Sequence, residues 1–189
     1  TVEQLEKAIA FAEKQAASGK QVLFVSTKRQ SKDAVKTAAV YAGQPYVTER
    51  WLGGMLTNAT TTSARIKKLK DLEGKMESGE LASRYNKLEV QRFQEQIDAM
   101  NHNYSGIKDM NGRPGAVFVA DILEDKNAVN EAVKLGIPVI AIVDTNTDPS
   151  NIDYPIPSND DAIGAVKMIV DLLADGVQAG RGKKAAKAE

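Results

Sequence analysis

Three continuous apolar runs, separated by helix-like segments, constrain the fold of this chain more than any other feature. They cover Gln21–Val25, Ala116–Ala120 and Val139–Val143. Strands that are buried on both faces have continuous apolar runs of this kind, which is typical of parallel sheets covered by helices. Because helical periodicity fills the intervals, the sequence predicts an α/β fold with right-handed crossovers between parallel strands.

Two weaker segments complete a predicted sheet of about five strands with helices on both faces. Pro45–Thr48 forms a short second strand, and Tyr154–Pro157 suits only an edge strand because prolines cannot donate to a ladder. Thr1–Ala17 has helical spacing, Ser31 and Asp160 or Asn159 are candidate helix caps, and Gly43 is a candidate helix stop. The Gly-, Ala- and Lys-rich residues 178–189 predict a mobile tail.

The interval 63–108 differs from the rest because it is rich in charges and has no apolar run. Ile66, Leu69 and Leu72 recur at steps of three and four, and the spacing resumes beyond Ser78-Gly79. Two antiparallel helices along a narrow seam, as in a coiled coil, explain this pattern. The sequence therefore predicts an α/β domain over 1–62 and 109–177 with a helical hairpin inserted at 63–108.

Composition favours an enzyme or a binding module over a dedicated nucleic-acid binder. Lys and Arg total 25, Asp and Glu total 25, and the formal net charge is +0. Nucleic-acid binders usually have a basic excess, although clustered cations on one face can compensate for a neutral total. The absence of cysteine excludes a disulfide framework and a thiolate metal site, and fits a reducing compartment. No apolar run reaches the roughly 20 residues that a membrane-spanning helix needs.

The loop Glu49–Asn58 concentrates unusual residues after the second predicted strand. It contains Trp51, the one tryptophan of the chain, and the pair Gly53-Gly54. Paired glycines allow positive φ angles and close approach to another surface, so an enzyme or a nucleic-acid-binding protein could use this loop. In the simpler interpretation, Trp51 covers the core and the glycines turn the chain. The residues alone leave both interpretations open.

Cations follow the first two predicted strands. Lys28 and Arg29 come after the first strand and Arg50 after the second, so all three should lie at the carboxyl edge of a parallel sheet, where ligand sites gather. They could contact phosphates or form a solvated rim. Thr27-Lys28-Arg29 lacks the glycines of a P-loop, which argues against a nucleotide site there.

The remaining candidates for chemistry have stronger structural interpretations. His102, the only histidine, lies on the predicted hairpin without another histidine or cysteine, so a surface histidine is favoured over a ligand. Asp121 and Asp144 both end strands and could act as paired carboxylates. Loop capping is favoured, because no nucleophile or Gly-rich cradle accompanies them.

Several motifs resemble one known family. They are Arg50–Asn58, Leu23–Arg29, Gly106–Met110, Pro114–Pro138 with Asp121, Asp125 and Glu131, Ala141–Asn146, and Ile156–Ile163. Together they are similar, in order and over most of the chain, to the bacterial-type family of small-subunit ribosomal protein number two, the universal ribosomal protein S2 family. Relative to that family, the chain begins after a leading segment, and Ala59 stands where the family usually has an aromatic residue.

The resemblance implies a flavodoxin-like or Rossmann-like fold and a structural role without catalysis, cofactor, metal or small-molecule substrate. It implies binding to small-subunit ribosomal RNA and to neighbouring ribosomal proteins, including the large mRNA-binding one, but to no membrane. The implied location is the cytoplasmic small subunit, with an organellar ribosome also open. The candidate RNA-binding residues are Lys28, Arg29, Arg50, Trp51, Asn58, Arg65, Lys67, Lys68, Lys108 and Arg113.

Two hypotheses from other classes remain at this point. An enzyme or sensor could bind a phosphorylated ligand at the strand ends, with Gly53-Gly54 as its only candidate cradle. A protein-interaction module could use the hairpin without RNA.

Overall fold

The computed structural model describes residues 2–188, with side chains described through Ala186. Seven α-helices, a 3₁₀ turn and five strands follow one another in this part of the chain. Their order is α1 Val2–Ala17, β1 Val22–Val25, α2 Lys32–Tyr41, β2 Tyr46–Val47, α3 Ala59–Glu77, α4 Glu80–Arg84, α5 Lys87–Tyr104, the 3₁₀ turn Ser105–Ile107, β3 Ala116–Val119, α6 Lys126–Lys134, β4 Val139–Val143, β5 Tyr154–Pro157 and α7 Ile163–Ala188.

The five strands form one parallel sheet in the order β2-β1-β3-β4-β5. This confirms the predicted five-stranded parallel sheet, with β1 next to β3 although the whole interval 63–108 separates them in sequence. The proline-containing strand β5 pairs only with β4, so it occupies the edge that its missing donors require.

Helices cover both faces of the sheet, as predicted. Successive strand residues point to opposite faces. Phe24 and Phe118 lie in register on neighbouring strands, with ring centroids 5.6 Å apart, in the core shared with α1, α2 and α7. Leu23 and Val117 belong to the opposite core, which includes α6 and the loop after β2.

The segment predicted as a mobile tail is helical, because α7 continues through Ala188. Two glycines let α7 approach α1 closely. A Cβ atom built on Gly180 would lie 2.3 Å from the carbonyl oxygen of Glu13, and one on Gly176 would lie 2.7 Å from Ile9 Cγ2. Glycine and alanine here provide close helix packing. Glu189 lies outside the described residues.

The interval between β2 and β3 holds α3, α4 and α5, and α3 packs against α5. Leu69, Ile97 and Tyr104 from this interval belong to the same buried core as one face of the sheet. A Cβ atom on Gly106 would lie 2.1 Å from the carbonyl oxygen of Tyr46, so the end of the interval rests directly on β2. The base of the insertion is therefore part of the domain core, and the coiled-coil arrangement stays a prediction.

The structure agrees with the predicted helix stop at Gly43 but not with the predicted helix cap at Ser31. Gly43 and Gly136 have positive φ angles of 60° and 66°, as glycines that stop helices do. Ser31, a predicted cap of α2, makes no side-chain capping bond, because its hydroxyl is paired with that of Ser26 at 2.7 Å. None of the helices within residues 2–188 has the length and apolar character needed to cross a membrane.

Candidate nucleic-acid interface

The carboxyl edge of the sheet holds the first group of predicted cations. Lys28 and Arg29 follow β1, and Arg50 follows β2, so the three lie at the same edge of neighbouring parallel strands. Arg29 and Arg50 are exposed. Lys28 is not, since only 12% of its side chain is accessible.

Lys28 lies inside a cluster of carboxylates. Its ammonium group lies 2.8 Å from Asp121 Oδ2, 3.0 Å from Asp160 Oδ1 and 2.7 Å from Asp161 Oδ1. Burial alone would lower the pKa of Lys28, but its bonds to Asp121, Asp161 and Asp160 outweigh this and raise the pKa above its ordinary value. The charge of Lys28 is therefore balanced within the protein, and a phosphate would compete with three carboxylates for it.

The strand-end carboxylates cap loops, in agreement with the favoured interpretation. Asp121 Oδ1 accepts from the amides of Leu123 and Glu124 at 2.8 and 3.1 Å. Asp144 accepts a hydrogen bond from the amide of Thr145. This bond is the main reason that the pKa of Asp144 is below its ordinary value, although desolvation opposes the change.

Asp125, on the turn before α6, joins the loops after β1 and β3. It accepts from the amide and the hydroxyl of Thr27, at 3.1 and 2.8 Å. Burial raises the pKa of Asp125 to about 6, and the two bonds from Thr27 only partly oppose this rise. Asp125 is thus a buried structural carboxyl that takes up a proton at a higher pH than an ordinary Asp does.

The loop after β2 is organised around Glu131 of α6. One carboxylate oxygen accepts from the indole N–H of Trp51 and the amide of Gly54, at 3.1 and 2.7 Å. The other accepts from the amides of Leu56 and Thr57, both at 3.0 Å, and from the Thr57 hydroxyl. Burial raises the pKa of Glu131, but the bonds from Thr57, Gly54, Trp51 and Leu56 lower it below its ordinary value.

The Trp51 loop thus corresponds to the simpler interpretation, in which the tryptophan covers the core. Trp51 is only 8% exposed, and Gly54 has a φ of 89° that permits the turn. Asn58 accepts from the amide of Thr61 and caps α3. The importance of Glu131 was not deduced from sequence, because its partners lie 74–80 residues away.

The cations of the inserted helices have two different environments. Arg65 donates to the hydroxyl of Tyr104 at 3.0 Å, and Lys108 contacts both oxygens of Glu73 at 2.7 and 2.9 Å. Lys67 and Lys68 on α3 are exposed, and within the described residues neither has an ion-pair partner. His102 is a surface residue with 63% of its side chain accessible, 3.7 Å from Glu49.

Arg113 lies at the opposite edge of the sheet from Lys28, because it precedes β3 instead of following a strand. It lines a cleft of about 540 Å³ together with Lys20, Arg181 and Lys184, which we call the amino-edge cleft. Lys20 comes from the loop before β1, and Arg181 and Lys184 come from α7. Sequence reasoning missed these three, although the position of Lys20 just before an apolar run was a usable signal.

Fold and site together define an α/β protein with a five-stranded parallel sheet whose Gly-Gly loop is closed by its own carboxylate. The family model described as ribosomal protein S2 matches residues 1–180. A protein named small ribosomal subunit protein uS2, from Coprothermobacter proteolyticus, is 46% identical over 181 residues, covering 96% of this chain and 67% of that protein. The chain belongs to the ribosomal protein S2 family, of the bacterial type, whose members are structural ribosomal proteins and not enzymes.

Proposed function

We propose that this chain binds small-subunit ribosomal RNA and neighbouring small-subunit proteins, including the large mRNA-binding one, in cytoplasmic ribosomes. The observation that carries the proposal is the family match over residues 1–180. Uncompensated surface cations support it, since phosphate contacts from Lys and Arg supply most sequence-independent affinity for nucleic acid.

The cations best suited to phosphate contact are exposed and have neither a side-chain hydrogen bond nor an ion pair within the described residues. Five of the residues singled out from the sequence fit this description: Arg29, Arg50, Lys67, Lys68 and Arg113. Lys28, Arg65 and Lys108 have partners within the protein, while Trp51 and Asn58 stabilise the loop and α3. Their contribution is therefore to shape the surface that RNA meets.

Lys67 and Lys68 give the inserted helices a role in this proposal. They lie on α3, and their neighbour Leu69 is fully buried against the domain core. The two lysines are therefore anchored near the base of the predicted hairpin, where a projecting arm would meet RNA or a neighbouring protein.

Co-sedimentation with bacterial small subunits depleted of their S2 protein tests this function. The wild-type chain should sediment with the depleted subunits at moderate salt, and Lys67→Gln/Lys68→Gln should weaken that association. Subunits that already contain S2 are the control and should not take up the chain. Equal recovery with depleted and complete subunits, or none with either, contradicts the proposal.

A phosphorylated small molecule at the Gly-Gly loop is the main rival. The amides of Gly54, Leu56 and Thr57 could in principle cradle a phosphate. The carboxylate of Glu131 already accepts from all three. A bound phosphate would have to displace a negative group that the protein itself supplies, so this rival is disfavoured.

A further inference from the structure

The amino-edge cleft collects positive charge in a protein whose formal net charge is +0. Four cations line it, namely Lys20, Arg113, Arg181 and Lys184, and no carboxylate is among its described lining residues. At the carboxyl edge, Asp121, Asp160 and Asp161 surround the ammonium group of Lys28, although Arg29 and Arg50 are exposed there. The amino-edge cleft therefore differs from the carboxyl edge in having cations without carboxylates among its described lining residues.

Helix α7 supplies two of these cations, Arg181 and Lys184, because it packs against the glycines that follow α1 and α2. Gly19 and Gly43, which follow α1 and α2, have φ angles of 82° and 60°. A Cβ atom on Gly43 would lie 2.0 Å from Arg181 Nη1, and one on Gly19 would lie 2.7 Å from Lys184 Nζ. Because glycine has no side chain, Arg181 and Lys184 fit directly against the backbone at these positions. The cleft therefore depends on the packing of α7 against the ends of α1 and α2.

The carboxyl ends of α1 and α2 offset only part of the positive charge of the four cations in the cleft. Arg181 Nη1 donates to the carbonyl oxygen of Ala42, at the end of α2, at 2.6 Å. The carboxyl ends of α1 and α2 each carry about half a negative charge. Together they offset about one of the four positive charges, which leaves an excess of about three in the cleft.

The lining favours a polyanion over a protein surface. Within the described residues Lys20, Arg113 and Lys184 have no ion-pair partner. Apart from glycine, the only apolar residues in the described part of the lining are Ala16 and Ala185, so a protein partner would find there no large apolar anchor of the kind that dominates protein interfaces. Arg and Lys donors around an open cleft match phosphodiester oxygens.

We infer that the amino-edge cleft binds the phosphodiester backbone of ribosomal RNA, through Lys20, Arg113, Arg181 and Lys184. The inference rests on the proposed function and adds to it a second surface, at the edge of the sheet opposite to Lys28 and Arg29. Lys20, Arg113 and Lys184 bind phosphate directly, and Arg181 divides its donors between the Ala42 carbonyl and the RNA.

Salt dependence of binding to S2-depleted small subunits tests the cleft. Lys20→Gln/Lys184→Gln should lower the slope of log affinity against log salt by about one and a half, because each lost phosphate contact removes about 0.7–0.9. The matched control is Lys126→Gln/Lys134→Gln, which removes two exposed lysines of α6. Equal slopes for the cleft variant and the wild type overturn the inference, while sedimentation of both proteins leaves the proposed function intact.

A directed cleavage experiment separates RNA from a protein partner. The chain has no cysteine, so Ala185→Cys in the cleft and Asn130→Cys on α6 each provide a single site for a tethered iron–EDTA probe. Ribosomal RNA should be cut by the probe at 185 in assembled subunits and not by the probe at 130. Subunits that bind the Ala185→Cys protein without RNA cleavage, or with cleavage of a neighbouring protein alone, overturn the inference. Failure of the wild-type chain to bind subunits overturns both proposals.

Discussion

Trp51 donates its indole N–H to Glu131 across 80 residues of sequence, at a distance of 3.1 Å. The same carboxylate accepts the amides of Gly54, Leu56 and Thr57. One side chain of α6 thus bonds to four residues of the loop after β2, which leads into α3.

Glu131→Gln should loosen this loop. The amide keeps one acceptor oxygen, but its NH₂ group then faces N–H donors of the loop in either orientation, those of Trp51 and Gly54 or those of Leu56 and Thr57. We expect the free energy of unfolding to fall by about 2 kcal/mol, because hydrogen bonds to a charged group are lost. Trp51, the only tryptophan, should show red-shifted fluorescence. Glu124→Gln, at an exposed position just before α6, is the control and should stay within about 0.5 kcal/mol of wild type. An unshifted Trp51 spectrum in Glu131→Gln would contradict this role.

Lys28→Met should destabilise the fold without changing the salt dependence of subunit binding. It leaves Asp121 and Asp160, each with 6% side-chain accessibility, without their cation. Removing one partner of a buried ion pair costs about 3 kcal/mol or more, which urea unfolding can measure. Arg29→Met provides the matched control, because Arg29 is exposed and should change stability by less than about 0.5 kcal/mol. A stable Lys28→Met protein with a reduced salt slope would instead assign Lys28 to phosphate binding.

The contribution of Asp125 to the free energy of unfolding should fall as the pH rises. Burial raises the pKa of Asp125 from 3.8 to about 6, so the folded state binds more protons between these values. The favourable contribution is present below about pH 4 and is lost as the pH rises through about 6. Asp125→Asn removes this dependence, so its stability relative to wild type should rise by about 3 kcal/mol across that range.

The comparison requires unfolding free energies of both proteins from pH 3.5 to 7.5. Asp175→Asn, at an exposed position on α7, should keep the wild-type pH dependence. If the curves of wild type and Asp125→Asn run parallel, Asp125 is ionised in the fold at ordinary acidic pH and the prediction is wrong.

The chain should bind no mononucleotide tightly, because the Gly53-Gly54 loop is bonded to Glu131. Isothermal calorimetry with ATP, GTP and NAD should detect no binding at micromolar concentrations. A micromolar constant that is lost on changing Gly53 or Gly54 would restore the nucleotide-binding hypothesis.

The strands were predictable because each carries its own signal. Apolar runs marked β1, β3 and β4, and the prolines of Tyr154–Pro157 marked an edge strand, which is where β5 lies. Parallel pairing also placed Arg29 and Arg50 correctly at one edge. The same reasoning could have placed Arg113 at the other edge, since it stands before its strand.

The remaining features depend on contacts between distant parts of the chain. Lys28 meets Asp160 across 132 residues, and nothing near Lys28 in sequence indicates a carboxylate cluster. The extension of α7 depends on Gly176 and Gly180 fitting against α1, whereas glycine in an isolated helix is destabilising. Local propensity therefore indicated a mobile tail, and tertiary packing produced a helix.

The packing of α7 against α1 also bears on how the chain folds during synthesis. Helix α1 is translated before α7, but one face of the sheet is complete only when the α7 residues have joined Phe24 and Phe118. These residues are Val166, Ile169, Val170, Leu173 and Val177. Until then a growing chain has apolar strands without their cover, and such surfaces promote aggregation. Translation of α7 is therefore the step that completes this face of the core, and a nascent chain arrested before α7 should recruit chaperones that recognise exposed apolar segments.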